Sequence, residues 1–378
     1  MTSAQARRRL TEVPSRAFLA AYVPARTAAW SHASRLFVVG DGIGWSIDDD
    51  GARLEARARR LGYEVGPSAW APFAGRQAVF HADHFSALRP RWLDSSHRLG
   101  FAYLHGHPGT PGYPEFDEAF ETLRRHAARC DRVQVTHAEM HELVVSAGVE
   151  PSRVFRIPIG IDLDRFPPWD DSIRAAARGE LDLPDAAFIV GSFQKDGVGW
   201  EEGLEPKLVK GPDSFLASLK LVRSSIPELY VLLTGPARGY VRRGLERLGV
   251  RHRHLMLSSR DELARAYHAL DAYLVTSRQE GGPKAVLESM ATGAALVTTR
   301  VGQAPELVVD GENGLLVEVD DVEALAAALL RVHDDGALVA RLRTAGRRTA
   351  EAHAEERLDS RWAELLDGFV ARDESRGA

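Results

Sequence analysis

From Leu36 onward short apolar runs alternate with longer stretches of helical periodicity, and the alternation happens twice. The first series runs "LFVVGD", "GARLEARARRLG", "YEV", "AVFHAD", "GFAYLHG", "EAFETLRRHAARC", "RVQVTHAEMHELVVSAG" and "RVFRIPIGID". The pattern then breaks at "RFPPWDDS", whose prolines and acids suit a linker. It restarts with "AFIVGSF", "PDSFLASLKLVRSS", "LYVLLTG", "GYVRRGLERLG", "HRHLMLS", "DELARAYHAL", "AYLVTS", "KAVLESMA" and "AALVTT". Strands alternating with helices predict parallel sheets with helices on both faces. A chain of 378 residues has room for two such α/β domains, since about 100–200 residues make one. The boundary is placed at 165/166, and the cleft between the domains is the expected ligand site.

Composition narrows the function classes. With 44% hydrophobic and 27% charged residues the chain reads as a globular, soluble protein. A net charge of −5 argues against a nucleic-acid partner, which would meet a basic face. Cys130 is the single cysteine, so no intramolecular disulfide framework exists and a reducing compartment fits. No apolar run approaches the roughly 20 residues of a membrane span, and no signal-peptide core opens the chain, so the expected location is the cytoplasm. The first 35 residues hold Arg7, Arg8, Arg9, Arg16, Arg26 and Arg35 against Glu12 alone. That arm allows at most weak contact with anionic lipid, because Pro14 and Pro24 interrupt a long amphipathic helix.

The stretch "SRQEGGPKAVLESMATG" carries the chemistry. It follows a strand and sets Glu280 in a Gly-rich turn and Glu288 inside a helix expected to be capped by Gly282 and to begin at Pro283. The bland alternative is a solvated Glu280 and a surface pair between Lys284 and Glu288, worth about 0.2–0.5 kcal/mol. Gly211-Pro212, Gly235-Pro236 and Gly282-Pro283 each follow a strand and are each expected to open a helix at the carboxyl edge of the second sheet. Lys210 and Lys284 flank two of them, and a helix N-terminus beside an ammonium makes a phosphate cradle.

In the first domain "VVGDGIGW" lacks the spacing of a dinucleotide fingerprint, because Trp45 and Ile47 stand where glycine is needed. Gly42 and Gly44 are instead expected to let a ligand approach the backbone. Asp48-Asp49-Asp50 and Asp162-Leu163-Asp164 fit a loose metal pattern, but the triple precedes a helix, where aspartates serve as cap and first-turn residues. His81, His84, His105 and His107 lack helical i, i+4 spacing and a cysteine pair, so zinc is not expected. His105 is expected to hydrogen-bond a polar ligand, and His84 and the aromatic face of Trp45 are expected at a second bound group, since aromatic faces support sugar rings or other flat apolar surfaces.

Taken in order along the chain, these segments resemble glycosyltransferase family 4, retaining enzymes of the GT-B architecture with a Glu-x7-Glu signature at Glu280 and Glu288. "RVFRIPIGIDLDRF" is similar to its interdomain segment, "LVKGP" to its Lys-Gly phosphate contact, "AYLHG" to its first-domain histidine, and "TTRVGQAPELVVDGENGLLVEVDD" to the segment after the signature. The resemblance implies two Rossmann-like domains with parallel sheets facing across a cleft. Residues 1–165 would bind the acceptor, completed by a C-terminal helix at 355–378, and residues 166–354 would bind a nucleoside diphosphate sugar.

By the same resemblance Glu280 would accept hydrogen bonds from the donor sugar, and Glu288 from the ribose. Lys210 and the turn Gly281, Gly282, Pro283 and Lys284 would hold the diphosphate, and His105 would face the sugar, with no metal cofactor. The acceptor could be a carbohydrate, a glycolipid or a small natural product. Two departures stand out. Ser192 follows Gly191 where the family soon places an arginine, and "QKDGVGWEEGLEPK" is inserted before Lys210, leaving Lys195 or Lys207 to supply the second phosphate contact. "GGPK" also replaces the family's "GFGL", and Pro283 has no N–H to offer. A nucleotide-sugar epimerase or hydrolase, or a non-catalytic sugar-nucleotide binding protein, would share the same residues.

Overall fold

The computed structural model describes residues 16–28, 30–42 and 46–372. Arg7, Arg8, Arg9, Gly44 and Trp45 lie outside the described residues. The chain divides into two compact units, one of Met1–Val135, His141–Arg156 and Asp359–Ala378, the other of Thr136–Met140 and Ile157–Leu358.

In the first unit β1 (Leu36–Val39), β2 (Ala78–His81), β3 (Arg98–Ala102), β4 (Cys130–Val135) and β5 (Val154–Arg156) form a parallel sheet in that order. The run "YEV" makes no strand: Val65 forms one isolated bridge to Leu36. Pro67, two residues on, has no N–H with which to extend a ladder. The helix Arg16–Thr27 runs through Pro24, contrary to the expectation that proline would stop it. Leu19, Val23 and Thr27 lie four residues apart and are all buried, and this packed stripe holds the helix despite the missing hydrogen bond. The C-terminal segment belongs to this unit. Its helix Asp359–Leu366 buries Trp362, Leu365 and Leu366, and Asp359 accepts from Arg57 at 2.8 Å and Arg60 at 3.0 Å.

In the second unit β6 (Phe188–Ser192), β7 (Leu229–Thr234), β8 (Arg251–Leu255), β9 (Ala272–Val275), β10 (Ala295–Thr299) and β11 (Leu315–Val317) form a parallel sheet ordered β11-β10-β9-β6-β7-β8. Successive strand residues serve opposite faces. Val190, Val231, Leu274 and Val297 join one core, while Ile189, Leu232, Tyr273 and Leu296 join another. The chain leaves β6 toward β7 and β8, then returns to build β9, β10 and β11 on the other side. The gap between the carboxyl ends of β6 and β9 is therefore a topological switch point, where open α/β sheets bind ligands.

Helix starts differ from the sequence reading in three places. Of the Gly-Pro pairs, Gly211-Pro212 opens a helix directly, Pro212–Val222. Gly235-Pro236 does not: the helix begins at Gly239, because Ala237 takes a positive φ of 56° that breaks helical continuity. At the third pair Pro283 is the N-cap and the helix runs Lys284–Thr292, one residue later than expected, since Pro283 has an extended ψ of 108°. The stretch taken as linker also contains the start of a helix, Asp171–Glu180, whose N-cap Asp170 accepts from the Ser172 N–H at 2.8 Å.

Candidate active site

The loop after β9 and the turn before the helix Pro212–Val222 are zipped together at the switch point. Arg278 and Gln279 both donate their N–H groups to the Val209 carbonyl, at 2.8 and 3.2 Å. Gly211 has a φ of 59°, and a Cβ there would meet the Thr276 carbonyl oxygen at 1.9 Å, so only glycine lets the two segments close. The Thr276 hydroxyl donates to the Gly211 carbonyl at 2.8 Å. Arg278 fixes the outer edge with paired bonds of 2.8 and 2.7 Å to Asp213.

This closure brings Lys210 and Glu280 together. Lys210 Nζ lies 2.6 Å from Glu280 Oε1, and the Ser277 hydroxyl donates to the same oxygen at 2.8 Å. Gln194, two residues beyond β6, completes the group: its Nε2 donates to the Lys210 carbonyl at 2.8 Å, and its Oε1 is 3.2 Å from Ser277 Oγ. An ammonium has three N–H donors, so Lys210 can hold Glu280 and still donate to a phosphate oxygen. The turn beneath is tightly packed. The Gly281 carbonyl accepts from the Thr136 hydroxyl at 2.6 Å, and a Cβ on Gly282 would come within 2.9 Å of Gln303 and Ile159. A Cβ on Gly302 would press on the Glu280 and Gly281 carbonyl oxygens at 2.8 and 2.7 Å. The helix that follows starts at Lys284 and presents its positive end on the same loop.

Glu288 is 5% exposed and makes no surface pair of the bland kind. Arg260 donates to its Oε1 at 2.9 Å and Tyr267 to its Oε2 at 2.9 Å. Burial, then the neighbouring Glu288 charge, pushes the Tyr267 hydroxyl well above its usual range, so it stays a donor. Arg260 and Tyr267 stand seven apart on the helix Arg260–His268, hence on one face. That spacing is the one signal in the sequence that could have pointed to them.

The insertion after β6 is anchored by a buried ion pair that the sequence reading missed. Arg238 holds Asp196 with bonds of 3.0 and 2.9 Å, and also donates to the Ser192 and Thr234 carbonyls at 2.6 and 2.9 Å. Burial pushes the Asp196 carboxyl up, against the opposing pull of Arg238. Lys195, one residue earlier, places its ammonium 4.4 Å from the Trp200 ring centroid, and partial burial lowers its proton affinity. Lys207 sits at the far end of the insertion, its N–H donating to the Asp196 carbonyl at 2.7 Å.

In the first unit His105 follows β3 within a ring cluster, 5.9 Å from His84, 6.0 Å from Phe85 and 5.7 Å from Phe116. His84 is buried and stacks on Tyr103 at 4.0 Å, and burial, then His105, holds its imidazole neutral. Gly42 has a φ of 74° and donates its N–H to Asp48 Oδ1 at 3.0 Å, so Asp48 fixes the backbone at Gly42. Among the described residues no group of three or more His, Cys, Asp or Glu side chains is arranged to hold a metal ion. No helix among them is long and apolar enough to cross a membrane.

Comparison with known proteins gives the family and the fold. Residues 203–335 match the family model described as glycosyl transferases group 1. The D-inositol 3-phosphate glycosyltransferase of Segniliparus rotundus is 29% identical over 333 residues, which is 81% of this chain and 70% of that one. The GDP-mannose-dependent alpha-(1-6)-phosphatidylinositol monomannoside mannosyltransferase of Mycolicibacterium smegmatis is 30% identical over 291 residues, 73% of this chain and 71% of the relative. Against the D-inositol 3-phosphate glycosyltransferase of Mycobacterium sp. strain KMS, 32% identical, the match spans 48% of the relative's length. In fold, HepE of Anabaena, solved with UDP and glucose, superposes with a TM-score of 0.71 at 17% identity, covering 89% of this chain and all 100% of that one. Sucrose-phosphate synthase of Thermosynechococcus elongatus superposes with a TM-score of 0.63 at 22% identity, over 85% and 78% of the two chains. The two parallel-sheet units thus have the GT-B architecture, and the sequence relatives make the chain a glycosyltransferase. Within that class the chain belongs to the group 1 glycosyltransferases, glycosyltransferase family 4.

Proposed function

We propose that the chain transfers a hexose from a nucleoside diphosphate sugar, with retention at the anomeric carbon and without a metal ion, to an acceptor held by the first unit. The observation that carries this reading is the 2.6 Å Lys210–Glu280 pair at the switch point, beside a helix N-terminus. Breaking the bond from the anomeric carbon to phosphate leaves charge on the diphosphate. Preorganised donors aimed at such charge are each worth roughly 3–4 kcal/mol, and Lys210 with the amides opening the helix Lys284–Thr292 supplies them. The new bond forms to the acceptor oxygen, whose proton leaves with the diphosphate.

Glu280 accepts from the sugar hydroxyls and fixes the reacting carbon. Glu288 accepts from the ribose through lone pairs that Arg260 and Tyr267 leave over, since a carboxylate offers about four. His105 faces the sugar, and the loop at Gly42 and Gly44 with Trp45 serves donor and acceptor. The cytoplasm, where a lone buried cysteine stays reduced, is the proposed compartment.

The named relatives direct the choice of substrates. One is called GDP-mannose-dependent, the HepE structure holds UDP and glucose, and all three named relatives carry inositol in their names. Incubation with UDP-glucose or GDP-mannose, inositol 3-phosphate and a panel of other acceptors in excess EDTA should yield a glycoside with the donor's anomeric configuration, read by proton NMR. Inversion would overturn the retaining mechanism, and activity restored only by Mg²⁺ or Mn²⁺ would overturn the metal-free one. Nucleotide release without glycosylated acceptor would identify a hydrolase.

A further inference from the structure

The insertion 194–207 folds as a fixed arm. Gly197 and Pro206 form an antiparallel bridge, and the Val198 N–H donates to the Glu205 carbonyl at 2.9 Å. The arm docks on the turn before the helix Gly239–Leu248, where Gly239 and Tyr240 donate to the Glu202 and Gly203 carbonyls at 2.6 and 2.9 Å. A Cβ on Gly197 or Gly203 would approach the Ala237 backbone to 2.3 or 2.4 Å. At its root Lys195 lies between two fastened neighbours: Gln194 is bonded to Lys210 and Ser277, and Asp196 is locked to Arg238. The arm's outer face carries Trp200, 50% exposed, with the Lys195 ammonium 4.4 Å from its ring centroid.

Charge decides what this lysine is for. Glu280 offsets much of the Lys210 charge, so a further cation beside that pair would strengthen its hold on a diphosphate. We propose that Trp200 is a positioning residue for the donor, its ring holding the Lys195 ammonium as the second cation for the diphosphate. The proposal rests on the nucleotide-sugar reading above. A ring face occupies one side of an ammonium and leaves the other to an anion, so the two contacts are compatible. Partial burial also keeps some water from Lys195 and lowers its proton affinity, which reduces what phosphate contact must strip away.

Calorimetric titration with UDP and with GDP tests this in the wild type, Lys195→Met, Trp200→Leu, Trp200→Tyr, the Lys195→Met/Trp200→Leu double variant and Lys207→Met, each checked by circular dichroism. Lys195→Met should weaken nucleotide binding about tenfold or more, as loss of a charged hydrogen bond does. Trp200→Leu, which keeps an apolar side chain but removes the ring quadrupole, should weaken it about threefold, while Trp200→Tyr should stay within about twofold. The double variant should bind no worse than Lys195→Met, because Trp200 acts through that lysine. Lys207→Met should be near wild type. Equal effects of Trp200→Leu in both backgrounds, an unaffected Lys195→Met, or a loss that falls on Lys207→Met would overturn the proposal while leaving the donor site standing. Failure of the wild type to bind either nucleotide would overturn both.

Discussion

Lys210 and Glu280 are separated by 70 residues in sequence and by 2.6 Å in the fold. Their pairing sharpens what substitution should do. Glu280→Gln removes the charge that holds Lys210, so UDP or GDP should bind at least as tightly as to wild type. The same change should lower kcat about ten- to a hundredfold, because a charged partner of the reacting sugar is lost. Glu288→Gln keeps an acceptor for Tyr267 and should mainly raise the donor KM, by about tenfold, since ribose contacts change little on the way to the transition state. Steady-state kinetics on the folded variants separates the two, and turnover within about twofold of wild type for both would contradict these roles.

His268 makes a different prediction. Neither of its buried ring nitrogens has a hydrogen-bond partner among the described residues, and burial, then Arg347, pulls its pKa from 6.5 down to about 4. Between those values the unfolded chain binds the proton and the folded chain does not, so stability is full above about 6.5 and falls as the pH drops toward 4. The melting temperature should fall across that window, and His268→Phe should flatten part of the fall. An unchanged pH slope in the variant would contradict the assignment.

At the scale of elements, the segment from β9 through the helix Lys284–Thr292 was legible because each part carries a local signal: an apolar strand, a Gly-Gly-Pro turn, then helix formers closed by Gly293. Gly211 was legible in the same way. Local signals misled at Gly235-Pro236, where Ala237 and the docked arm, rather than the dipeptide, set the start of the helix. Asp196–Arg238 and Glu288–Arg260 join residues 42 and 28 positions apart on different elements, and beyond the shared helix face of Arg260 and Tyr267 nothing local foretells such partners. The first pair fastens the arm and is almost fully enclosed, at 1% and 0% side-chain exposure. Arg238→Met should therefore cost about 3–5 kcal/mol by leaving Asp196 charged and unpaired. Asp196→Asn combined with Arg238→Met should recover part of that loss, since no lone charge is then buried. Urea denaturation measures both, and a loss below about 1 kcal/mol for Arg238→Met would show that the pair does not hold the arm.

Across the whole molecule the chain builds one parallel-sheet unit, then a second, and returns to the first with Asp359–Ala378. The alternating apolar runs foretold both sheets, since strands covered on two faces must be apolar throughout. The return was not written locally: Asp359 meets Arg57 across 302 residues, and Leu365 and Leu366 look like any amphipathic helix until their core is known. The central claim is that the second unit is a nucleoside diphosphate site built around Lys210 and independent of metal. Titration of UDP and GDP into wild type and Lys210→Met in excess EDTA tests it most directly. The account predicts one-to-one binding of at least one nucleotide to wild type, weakened about tenfold or more in Lys210→Met. Absence of binding by either nucleotide until a divalent cation is supplied, or equal affinity of wild type and variant, would contradict it.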